Sequence, residues 1–458
     1  MIANLNKGKK IHMIGIGGVS MSGLAEIALN MGYIISGSDM TDSSNTQKLK
    51  ENGITVFIGH KAENVAGADL VVYTAAINKL ENPEYKEAQR LNIPMMERSE
   101  FLGELTKIYT ETIGICGTHG KTTTTSMVSL AFLEGGKDPT IQVGADYLKQ
   151  IGGNYKVGNS PYFVIEACEY VESFLKFHPE TVTLLNIEED HLDYYKDLEH
   201  IKSAFKKFVS LVPDSGYVIY NADDIDCCDV VKDLTCKVIS FGIKNTTADW
   251  IATDITLNSN GYYSFSLTNG YEKIQIDLNV IGYHNIYNSL ATVATAYAHK
   301  IDLTTVKKAL EDFSGASRRF EYRGLFNGAK VYDDYAHHPT EIKATLKAAS
   351  ALPHNKIWAI FQPHTYTRTY SLFNEFTTTF TDANNLIITD IYAAREVDTG
   401  IVSSKQLAEA INDVTGNCLY MSSFDDIATY LKENVNENDI IITIGAGTIT
   451  KLSHTLTE

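Results

Sequence analysis

The chain alternates short apolar runs with segments whose apolar residues recur at helical spacing. The run KKIHMIGIGG leads into VSMSGLAEIALNMG, and the apolar residues that share one helical face in this second segment are Met21, Leu24, Ala25, Ala28 and Leu29. The same succession of strand and helix patterns continues through most of the sequence. It predicts α/β domains built on largely parallel sheets.

A different pattern interrupts this succession in the middle of the chain. There the segment ITLNSNGYYSFSL places Asn260 and Gly261 between two runs of alternating polarity, which predicts a β-hairpin. The 458 residues are too many for one ordinary core and favour about three domains. From the changes of pattern we expect these domains to cover residues 1–107, 108–317 and 318–458.

Composition and charge exclude several classes of protein. A hydrophobic fraction of 44% and an aromatic fraction of 10% are typical of a globular chain. The sequence contains no run of about 18 apolar residues, the length that a membrane-spanning helix needs. The net charge of −17 would repel a nucleic-acid backbone. The six cysteines form no CxxC pair, and the start of the chain, MIANLNKGKK, has no apolar signal segment. We therefore expect a cytoplasmic protein with no nucleic-acid or membrane partner.

The first glycine-rich turn lies between the first strand pattern and the first helix pattern. Its residues Gly15, Gly17 and Gly18 resemble a dinucleotide-binding fingerprint, and Asp39 follows the next strand, where a ribose-binding acid is expected. Small residues there let backbone N–H groups and the helix N-terminus approach a pyrophosphate. The alternative is a packed strand–helix turn without a ligand, and the sequence favours nucleotide binding over it.

A second turn, TIGICGTHGKTTTTS, has more features of a phosphate-binding loop. The strict pattern fails, because Ile115 occupies the position five residues before Gly120, where that pattern has a glycine. Even so, Gly117 and Gly120 allow a tight turn. Lys121 can reach terminal phosphates, and the hydroxyl of Thr122 can bind Mg²⁺. We therefore expect ATP or GTP at this turn rather than a bend without a ligand.

Polar side chains follow two strands that we expect beside this loop. The strand YFVIEACE ends in Glu166 and Glu169, and His191 follows the strand TVTLLN. Because the carboxyl ends of parallel strands lie at one edge of a sheet, Glu166 and His191 could face a Mg²⁺ ion from two sides. The alternative is that both are solvated strand ends. The convergence of three phosphate-suited elements on one edge favours the metal.

Eight motifs, in this order, resemble those of the Mur ligases: GIGGVSMSGLAE, SGSD, GTHGKTTTT, NIEEDHLDYY, GYHNIYN, SRRFE, DDYAHHPTE and FQPHTYTR. They extend over almost the whole chain. The resemblance implies a Rossmann-like N-terminal domain for a UDP moiety and a central P-loop ATPase domain with a mostly parallel sheet. It also implies a Rossmann-like α/β C-terminal domain that closes over both. The short GTHGKT loop would be the family's ATP site.

The resemblance further implies an ATP-dependent ligation in the synthesis of peptidoglycan precursors. The motifs GIGGVSMSG, GTHGKTTTT and DDYAHHPTE are similar to those of family members that join L-alanine to the lactyl carboxylate of UDP-N-acetylmuramate. ATP would phosphorylate this carboxylate, and the amine of L-alanine would then attack the acyl phosphate. Phosphorylation supplies the leaving group that a carboxylate lacks, so catalysis is mostly positioning and charge stabilisation.

The same resemblance assigns roles to individual residues. The positions implied for ATP are Gly117, Thr118, His119, Gly120, Lys121, Thr122, Thr123, Asn285, Asn288, Arg319 and Asp334, with His337 and His338 close by. The positions implied for the UDP-sugar are Gly17, Gly18, Ser22, Ser38, Asp39 and Arg98. The positions implied for Mg²⁺ are Thr122, Glu166 and His191, and those implied for catalysis are Lys121, Glu166, His191, His364 and Arg368. Of these, His364 and Arg368 would contact L-alanine, with Arg368 as a clamp for its carboxylate.

Three positions depart from the family pattern. Ser20 stands where glycine is usual, Cys168 stands at a position that is usually acidic, and Thr365 stands where arginine is common. We expect a slightly altered approach to the pyrophosphate at Ser20 and less negative charge near the metal at Cys168. At Thr365 we expect one contact fewer to the carboxylate of alanine.

Three alternatives stay open at this point. A related ligase attaches a murein tripeptide to the same UDP-sugar, an NAD-dependent oxidoreductase would use the first glycine turn, and a nucleotide-gated regulator would bind ATP without catalysis. The turn GIGGVSMSG and the length of the chain favour addition of a single amino acid, and the oxidoreductase leaves Lys121 and Thr122 without a role. We expect a monomer or weak homodimer. Some related ligases hold metal with a carbamylated lysine, and we expect none here at Lys202 or Lys206.

Overall fold

The computed structural model describes residues 7–145, 147–192, 194–394 and 396–458, and over these ranges the chain forms three α/β domains in succession. Residues 1–6, on which part of the expectation about a signal segment rests, lie outside the described ranges. Among the described residues, no helix has both the length and the apolar character that are needed to span a bilayer.

The first domain is a doubly wound parallel sheet. Its strands are β1 (Lys10–Ile14), β2 (Ile34–Asp39), β3 (Thr55–Ile58), β4 (Leu70–Tyr73) and β5 (Met95–Glu97), and its helices are α1 (Val19–Asn30), α2 (Ser44–Glu51), α3 (Pro83–Arg90) and α4 (Arg98–Thr106). The strand order is β3-β2-β1-β4-β5, with parallel neighbours throughout. The apolar face predicted in α1 is confirmed, because Met21, Leu24, Ala25 and Ala28 are buried and Leu29 packs against the same core.

The second domain is built on the largest sheet of the described structure. Its strands are β6 (Glu111–Cys116), β7 (Thr140–Gln142), β8 (Tyr155–Lys156), β9 (Tyr162–Glu166), β10 (Thr181–Leu184), β11 (Tyr217–Asn221), β12 (Lys237–Gly242), β13 (Trp250–Leu257), β14 (Tyr262–Thr268) and β15 (Lys273–Ile281). Its helices are α5 (Lys121–Glu134), α6 (Leu198–Val209), α7 (Ile225–Val231), α8 (His284–Ala298) and α9 (Leu303–Asp312). The strand order is β15-β14-β13-β12-β11-β10-β6-β9-β7-β8.

This sheet is parallel from β7 to β13 and antiparallel at its two ends. The predicted hairpin is confirmed as β13–β14, which are antiparallel, and Gly261 in its turn has φ 82°. The strand β6 lies between β9 and β10. The loop after β6, Glu166 at the end of β9 and the segment after β10 therefore meet at one edge of the sheet.

The third domain carries another mostly parallel sheet. Its strands are β16 (Glu321–Phe326), β17 (Ala329–Asp334), β18 (Ile357–Phe361), β19 (Asn385–Ile388), β20 (Cys418–Tyr420) and β21 (Ile440–Ile444). Its helices are α10 (Pro339–Ser350), α11 (Tyr366–Ser371), α12 (Phe373–Thr377), α13 (Ser404–Thr415), α14 (Phe424–Asn434) and α15 (Thr450–Thr457). The order is β16-β17-β21-β18-β19-β20, and the edge strand β16 is antiparallel to β17. The N-terminus of α10 faces the central domain, which His338 and Glu341 contact.

The first and second domains are joined by close packing of α4 on the 3₁₀ segment Tyr170–Lys176. Nζ of Lys176 donates a hydrogen bond to Oγ of Ser99 at 2.9 Å. A Cβ atom at Gly103 would lie only 2.3 Å from the carbonyl oxygen of Lys176. The helix can approach this carbonyl only because residue 103 has no side chain.

We predict that Gly103→Ala lowers the free energy of unfolding by about 1–3 kcal/mol, because the added methyl group must push α4 away from the carbonyl of Lys176. Calorimetric or denaturant unfolding measures the change. Lys107→Ala, at the exposed end of the same helix, is the control and should change the free energy by less than about 0.5 kcal/mol. Equal stability of Gly103→Ala and the wild type would show that this packing is loose.

Candidate active site

The loop between β6 and α5 has the tight geometry that its two glycines permit. Gly117 has φ 139° and Gly120 has φ 82°, conformations that other residues rarely adopt. A Cβ atom at Gly120 would also lie 2.7 Å from Oδ1 of Asn288. The side chain of Asn186 accepts a hydrogen bond from N of His119 at 2.7 Å and donates one to its carbonyl oxygen at 3.1 Å. The predicted turn is therefore a fixed loop at the N-terminus of a helix, which suits an anion.

The ammonium group of Lys121 lies inside this loop. Its Nζ donates to the carbonyl oxygens of Gly117 at 2.6 Å and Thr118 at 2.9 Å, and it lies 3.0 Å from the carboxylate of Glu169. Burial alone lowers the pKa of Lys121, but the charge of Glu169 outweighs it and raises the pKa above its ordinary value. The lysine is therefore charged and held in place at neutral pH.

Thr122 and Glu166 meet beside this lysine, as the sequence predicted. Oγ1 of Thr122 donates to Oε2 of Glu166 at 2.9 Å. The same carboxylate oxygen accepts from N of Gly144 at 2.9 Å, so the segment that follows β7 helps to orient it. Nη2 of Arg319, from the third domain, donates to Oγ1 of Thr122 at 3.1 Å. Two hard oxygen groups and a neighbouring phosphate loop form a set of donors that fits Mg²⁺.

His191, the third residue predicted for the metal, lies beside acids other than Glu166. Its Nε2 is 3.9 Å from Oε1 of Glu169 and 3.8 Å from Oδ2 of Asp190. Its backbone has φ 54°, a conformation that is uncommon for a residue with a side chain. None of the contacts among the described residues joins His191 to Glu166. The two-sided arrangement of these residues around an ion stays a prediction.

His119 connects the phosphate loop to the third domain. Its Nε2 is 3.2 Å from Oε2 of Glu188, and its Nδ1 is 3.0 Å from Oε1 of Glu341 in α10. Burial lowers the pKa of His119, but hydrogen bonds to these two carboxylates outweigh it and raise the pKa to about 9. Nearby, Nε2 of His338 donates to the carbonyl oxygen of Glu189 at 3.1 Å. The C-terminal domain is thus attached to the loop by a charged histidine.

A cavity of about 1010 Å³ opens beside the loop, between the second and third domains. The predicted ATP-binding residues that line it are His119, Gly120, Thr123, Asn285, Asn288, Arg319 and Asp334. The other predicted ATP residues, Gly117, Thr118, Lys121 and Thr122, belong to the adjoining loop and the first turn of α5. Its volume is at the upper end of the usual range for ligand pockets, about 300–1,000 Å³. The structure thus brings the predicted nucleotide residues to one place.

Two groups of this cavity are already hydrogen-bonded to the protein. Nδ2 of Asn288 donates to Oδ1 of Asn285 at 2.9 Å, one helical turn away in α8. The carboxylate of Asp334 accepts from N of Phe320 at 2.7 Å and from N of Ala336 at 2.8 Å. Burial raises the pKa of Asp334 to about 6. Asp334 therefore orders the junction between the two domains as well as lining the cavity.

A smaller cavity of about 300 Å³ contains the residues predicted for L-alanine. Nη2 and Nε of Arg368 lie 2.9 Å and 3.2 Å from Oδ1 of Asp190, and Nη1 donates to Nδ1 of His364 at 3.1 Å. Burial, and then the charge of Arg368, lower the pKa of His364 to about 4, so this imidazole is neutral. Burial raises the pKa of Asp190, but the charges of His191 and Arg368 outweigh it and keep Asp190 ionised.

The first glycine turn holds Gly17 next to Asp39, the acid predicted for the ribose. N of Gly17 donates to Oδ2 of Asp39 at 2.9 Å, and Gly18 precedes α1 as its cap. Ser38 contributes through its backbone, since its carbonyl oxygen accepts from N of Gly15 at 2.8 Å. Its side chain is buried and donates to Oε2 of Glu84 at 2.5 Å.

The remaining two residues predicted for the UDP-sugar also have protein partners. Oγ of Ser22 donates to the carbonyl oxygen of Val19 at 2.9 Å, within α1. Nη1 of Arg98 donates to Oγ of Ser20 at 3.1 Å, so Arg98 does reach the turn. Contact of these residues with a sugar nucleotide stays a prediction.

Sequence reasoning assigned no role to three acids that hold the site together: Glu169, Asp190 and Glu341. Asp190 and Glu341 stand inside the motifs NIEEDHLDYY and DDYAHHPTE, and Glu169 follows Cys168, which departs from the family pattern, so a signal for them was present. Their partners are far away in the sequence, which is why spacing alone did not reveal their pairing.

Comparison with known protein families matches most of the chain. Residues 10–110 match the model described as the Mur ligase family, catalytic domain, residues 115–296 match the Mur ligase middle domain, and residues 318–447 match the Mur ligase, glutamate ligase domain. The chain belongs to the Mur ligase family. The resemblance recognised in the sequence is therefore confirmed.

This Mur ligase has curated relatives of similar length. It is 52% identical over 452 residues to a UDP-N-acetylmuramate–L-alanine ligase of Acetivibrio thermocellus, covering 98% of this chain and 96% of the relative. It is also 52% identical over 445 residues to a protein of the same name from Clostridium acetobutylicum, covering 97% and 96%.

Solved structures resemble this Mur ligase over their full length. A UDP-N-acetylmuramate–alanine ligase from Thermotoga maritima has a TM-score of 0.82 and 29% identity, covering 98% of each chain. A murein peptide ligase from Psychrobacter arcticus has a TM-score of 0.73 and 26% identity, also covering 98% of each chain. The expected three-domain α/β architecture is confirmed.

We predict that the contribution of His119 to stability depends on pH. Its pKa rises from the ordinary value of 6.5 to about 9 on folding, so its stabilising contribution is complete below pH 6.5 and is lost as the pH rises through 9. The difference in Tm between the wild type and His119→Asn, measured by calorimetry, should shrink steadily from pH 6.5 to pH 9.5. A difference that stays constant or grows over this range would contradict the ion pairs with Glu188 and Glu341.

Proposed function

We propose that this Mur ligase joins L-alanine to the lactyl carboxylate of UDP-N-acetylmuramate with consumption of ATP, in the synthesis of peptidoglycan precursors. The observation that carries the proposal is the 52% identity, over nearly the whole chain, to curated ligases of that name. The phosphate loop with Lys121, Thr122 and Glu166 supplies the site that an ATP-dependent ligase needs. We place the enzyme in the cytoplasm, where ATP and sugar nucleotides are made, as a monomer or weak homodimer.

Lys121 and the loop amides would bind the β- and γ-phosphates of ATP. The ammonium group is desolvated and positioned before the nucleotide arrives, so little reorganisation is needed when negative charge develops. Arg319 reaches the same region from the third domain. The third domain therefore supplies a second cation beside the place proposed for the phosphates and would help to exclude water from them.

Thr122 and Glu166 are the residues of this chain that fit a Mg²⁺ ion, with His191 as the further position that the family implies. When bound, such an ion would neutralise part of the negative charge of the phosphates. Here Thr122 and Glu166 are held in contact, and Gly144 orients the carboxylate. Their present hydrogen bonds keep both oxygens at the edge of the sheet where the phosphates would lie.

Two bond-forming steps complete the proposed reaction. A carboxylate oxygen of the muramyl group attacks the γ-phosphorus, and the bond from that phosphorus to ADP breaks. The amine of L-alanine then attacks the acyl carbon, the tetrahedral intermediate expels inorganic phosphate, and the nitrogen loses a proton. Both steps demand close placement of two substrates, and the contribution of the protein is chiefly to hold them there.

The smaller cavity is the proposed site for the amino acid. Arg368 offers donors for a carboxylate, in the paired geometry that guanidinium groups favour. His364 is neutral, and its Nδ1 accepts from Arg368, so the proton on its ring lies at Nε2 and can be donated to a ligand. Because the pKa of His364 is only about 4 and its Nδ1 is occupied by Arg368, this imidazole is a weak base, so His364 acts as a donor and not as the base for the amine.

The cavity of about 300 Å³ favours a single amino acid over a murein tripeptide. The structural similarity to a murein peptide ligase, at 26% identity, keeps the tripeptide as the second candidate. An NAD-dependent oxidoreductase would not need the phosphate loop in which Lys121 and Glu166 make their contacts.

A coupled assay of phosphate release tests the proposal. With ATP, Mg²⁺ and UDP-N-acetylmuramate present, we expect turnover with L-alanine, weaker turnover with glycine or L-serine, and none with a murein tripeptide. Mass spectrometry should detect an amide product heavier than the sugar nucleotide by one alanyl group. Turnover with the tripeptide alone would establish the second candidate. Binding of NADH without hydrolysis of ATP would contradict the proposal that this protein is a ligase.

We predict that Lys121→Ala lowers kcat by about 10²–10³-fold or more, because it removes a charged donor to the phosphates. Since this change leaves the buried Glu169 unpaired, Tm is recorded, and Lys121→Met with Glu169→Gln removes both charges together. Lys206→Ala is the matched control, because Lys206 is half exposed and pairs only with Asp233 among the described residues, at 2.8 Å. Activity in Lys121→Ala close to that of the wild type would favour a regulator that does not use ATP for chemistry. Loss of activity in Lys206→Ala would contradict the expectation that this lysine is not carbamylated.

A further inference from the structure

Side chains from two parts of the chain converge on Ser20, at the start of α1. Nη1 of Arg98 donates to Oγ of Ser20 at 3.1 Å. Nε2 of Gln142, the last residue of β7 in the central domain, donates to the carbonyl oxygen of Ser20 at 3.0 Å and lies 3.1 Å from its Oγ. Nδ2 of Asn154 donates to the neighbouring carbonyl of Val19 at 2.8 Å. The glycine turn is therefore tied to the central domain at Ser20.

The orientation of the Gln142 amide is fixed by its partner. A carbonyl oxygen can only accept, so the atom that faces the carbonyl of Ser20 must be the NH₂ group. Gln142 is buried, and its Oε1 has no hydrogen-bond partner within the described part of the chain. A buried acceptor without a partner destabilises the fold. This contact is therefore not the arrangement that stability alone would select.

The strand β7 connects this contact directly to the proposed metal ligand. Two residues after Gln142, N of Gly144 donates to Oε2 of Glu166 at 2.9 Å, and the same oxygen accepts from Thr122. A Cβ atom at Gly144 would lie 2.4 Å from that oxygen, so the backbone comes this close to Glu166 only because residue 144 has no side chain. One short segment thus holds the first glycine turn at one end and the carboxylate at the other.

We propose that Ser20 and Gln142 are positioning residues that set the distance between the sugar-nucleotide turn and the phosphate edge of the central domain. The inference rests on the proposed function, since it concerns the placement of the muramyl carboxylate against the γ-phosphate. Ser20 is the residue of the turn that both Arg98 and Gln142 contact. Its hydroxyl provides the point at which Arg98 and Gln142 meet, and glycine would supply only the carbonyl.

Loss of this contact should affect turnover more than binding. The nucleotide loop and the first glycine turn each remain intact without it, so each substrate still binds. The muramyl carboxylate and the γ-phosphate would then be positioned less accurately relative to each other. Small errors of placement reduce the rate of a reaction between two bound substrates.

The decisive variant is Gln142→Met, which keeps the length of the side chain and removes both its hydrogen bonds and its unpaired oxygen. We expect kcat to fall about tenfold, while the KM for ATP and the calorimetric Kd for UDP-N-acetylmuramate change less than about threefold. The Tm should stay the same or rise, because the buried acceptor is gone. Gln150→Met is the matched control, since Gln150 is exposed in the same domain and should leave all four quantities unchanged.

Variants of Ser20 separate its hydroxyl from its backbone. Ser20→Ala keeps the carbonyl that accepts from Gln142, so kcat should fall only about two- to fivefold, and Ser20→Thr should restore it. A normal kcat in Gln142→Met, with an active wild type, would overturn the inference and leave the proposed function standing. A loss of kcat matched by a lower Tm and by weaker binding of both substrates would show a purely structural role. A wild type that turns over no substrate would overturn the proposed function and the inference with it.

Discussion

The buried ammonium group of Lys121 is the feature on which the site depends. An ion of this kind is stable away from water only with partners, and it has two carbonyl oxygens from its own loop and the carboxylate of Glu169. Glu169 is close enough because β9 lies beside β6 in the sheet. Glu166, at the end of the same strand, contacts Thr122. The order of the strands therefore determines that neighbouring acids serve the lysine and the hydroxyl next to it.

The central domain acts as the common support for the other two. The first domain reaches it through α4 and through Ser20, and the third domain reaches it through Arg319, Glu341 and Arg368. Apart from the contact of α4, which ends at Lys176, these contacts end within a few residues of the phosphate loop or of a strand end at the same edge. This arrangement suits a ligation that uses three substrates, because both outer domains are positioned relative to the same central sheet.

The features predicted correctly from sequence were those encoded by local patterns. Helical spacing predicted the buried face of α1, and Asn260 with Gly261 predicted the hairpin. The glycines of the phosphate loop predicted the tight turn that precedes Lys121. The pairing of Arg368 with Asp190, 178 residues apart, and of His119 with Glu341, 222 residues apart, depends on how whole domains meet. The strands β7 and β8 have three and two residues, too few to show a period. Those parts of the site could be seen only once the fold was known.

The pairing of Arg368 with Asp190 has a consequence for what can enter the smaller cavity. Before a ligand arrives, the guanidinium and the carboxylate neutralise each other in a buried place. A ligand that carries only a negative charge would take Arg368 and leave Asp190 without its counter-ion, which is unfavourable away from water. A free amino acid is a zwitterion and offers a charge to each of them. Selection against simple carboxylic acids and simple amines would therefore follow from electrostatic balance, before any contact with the side chain of the substrate.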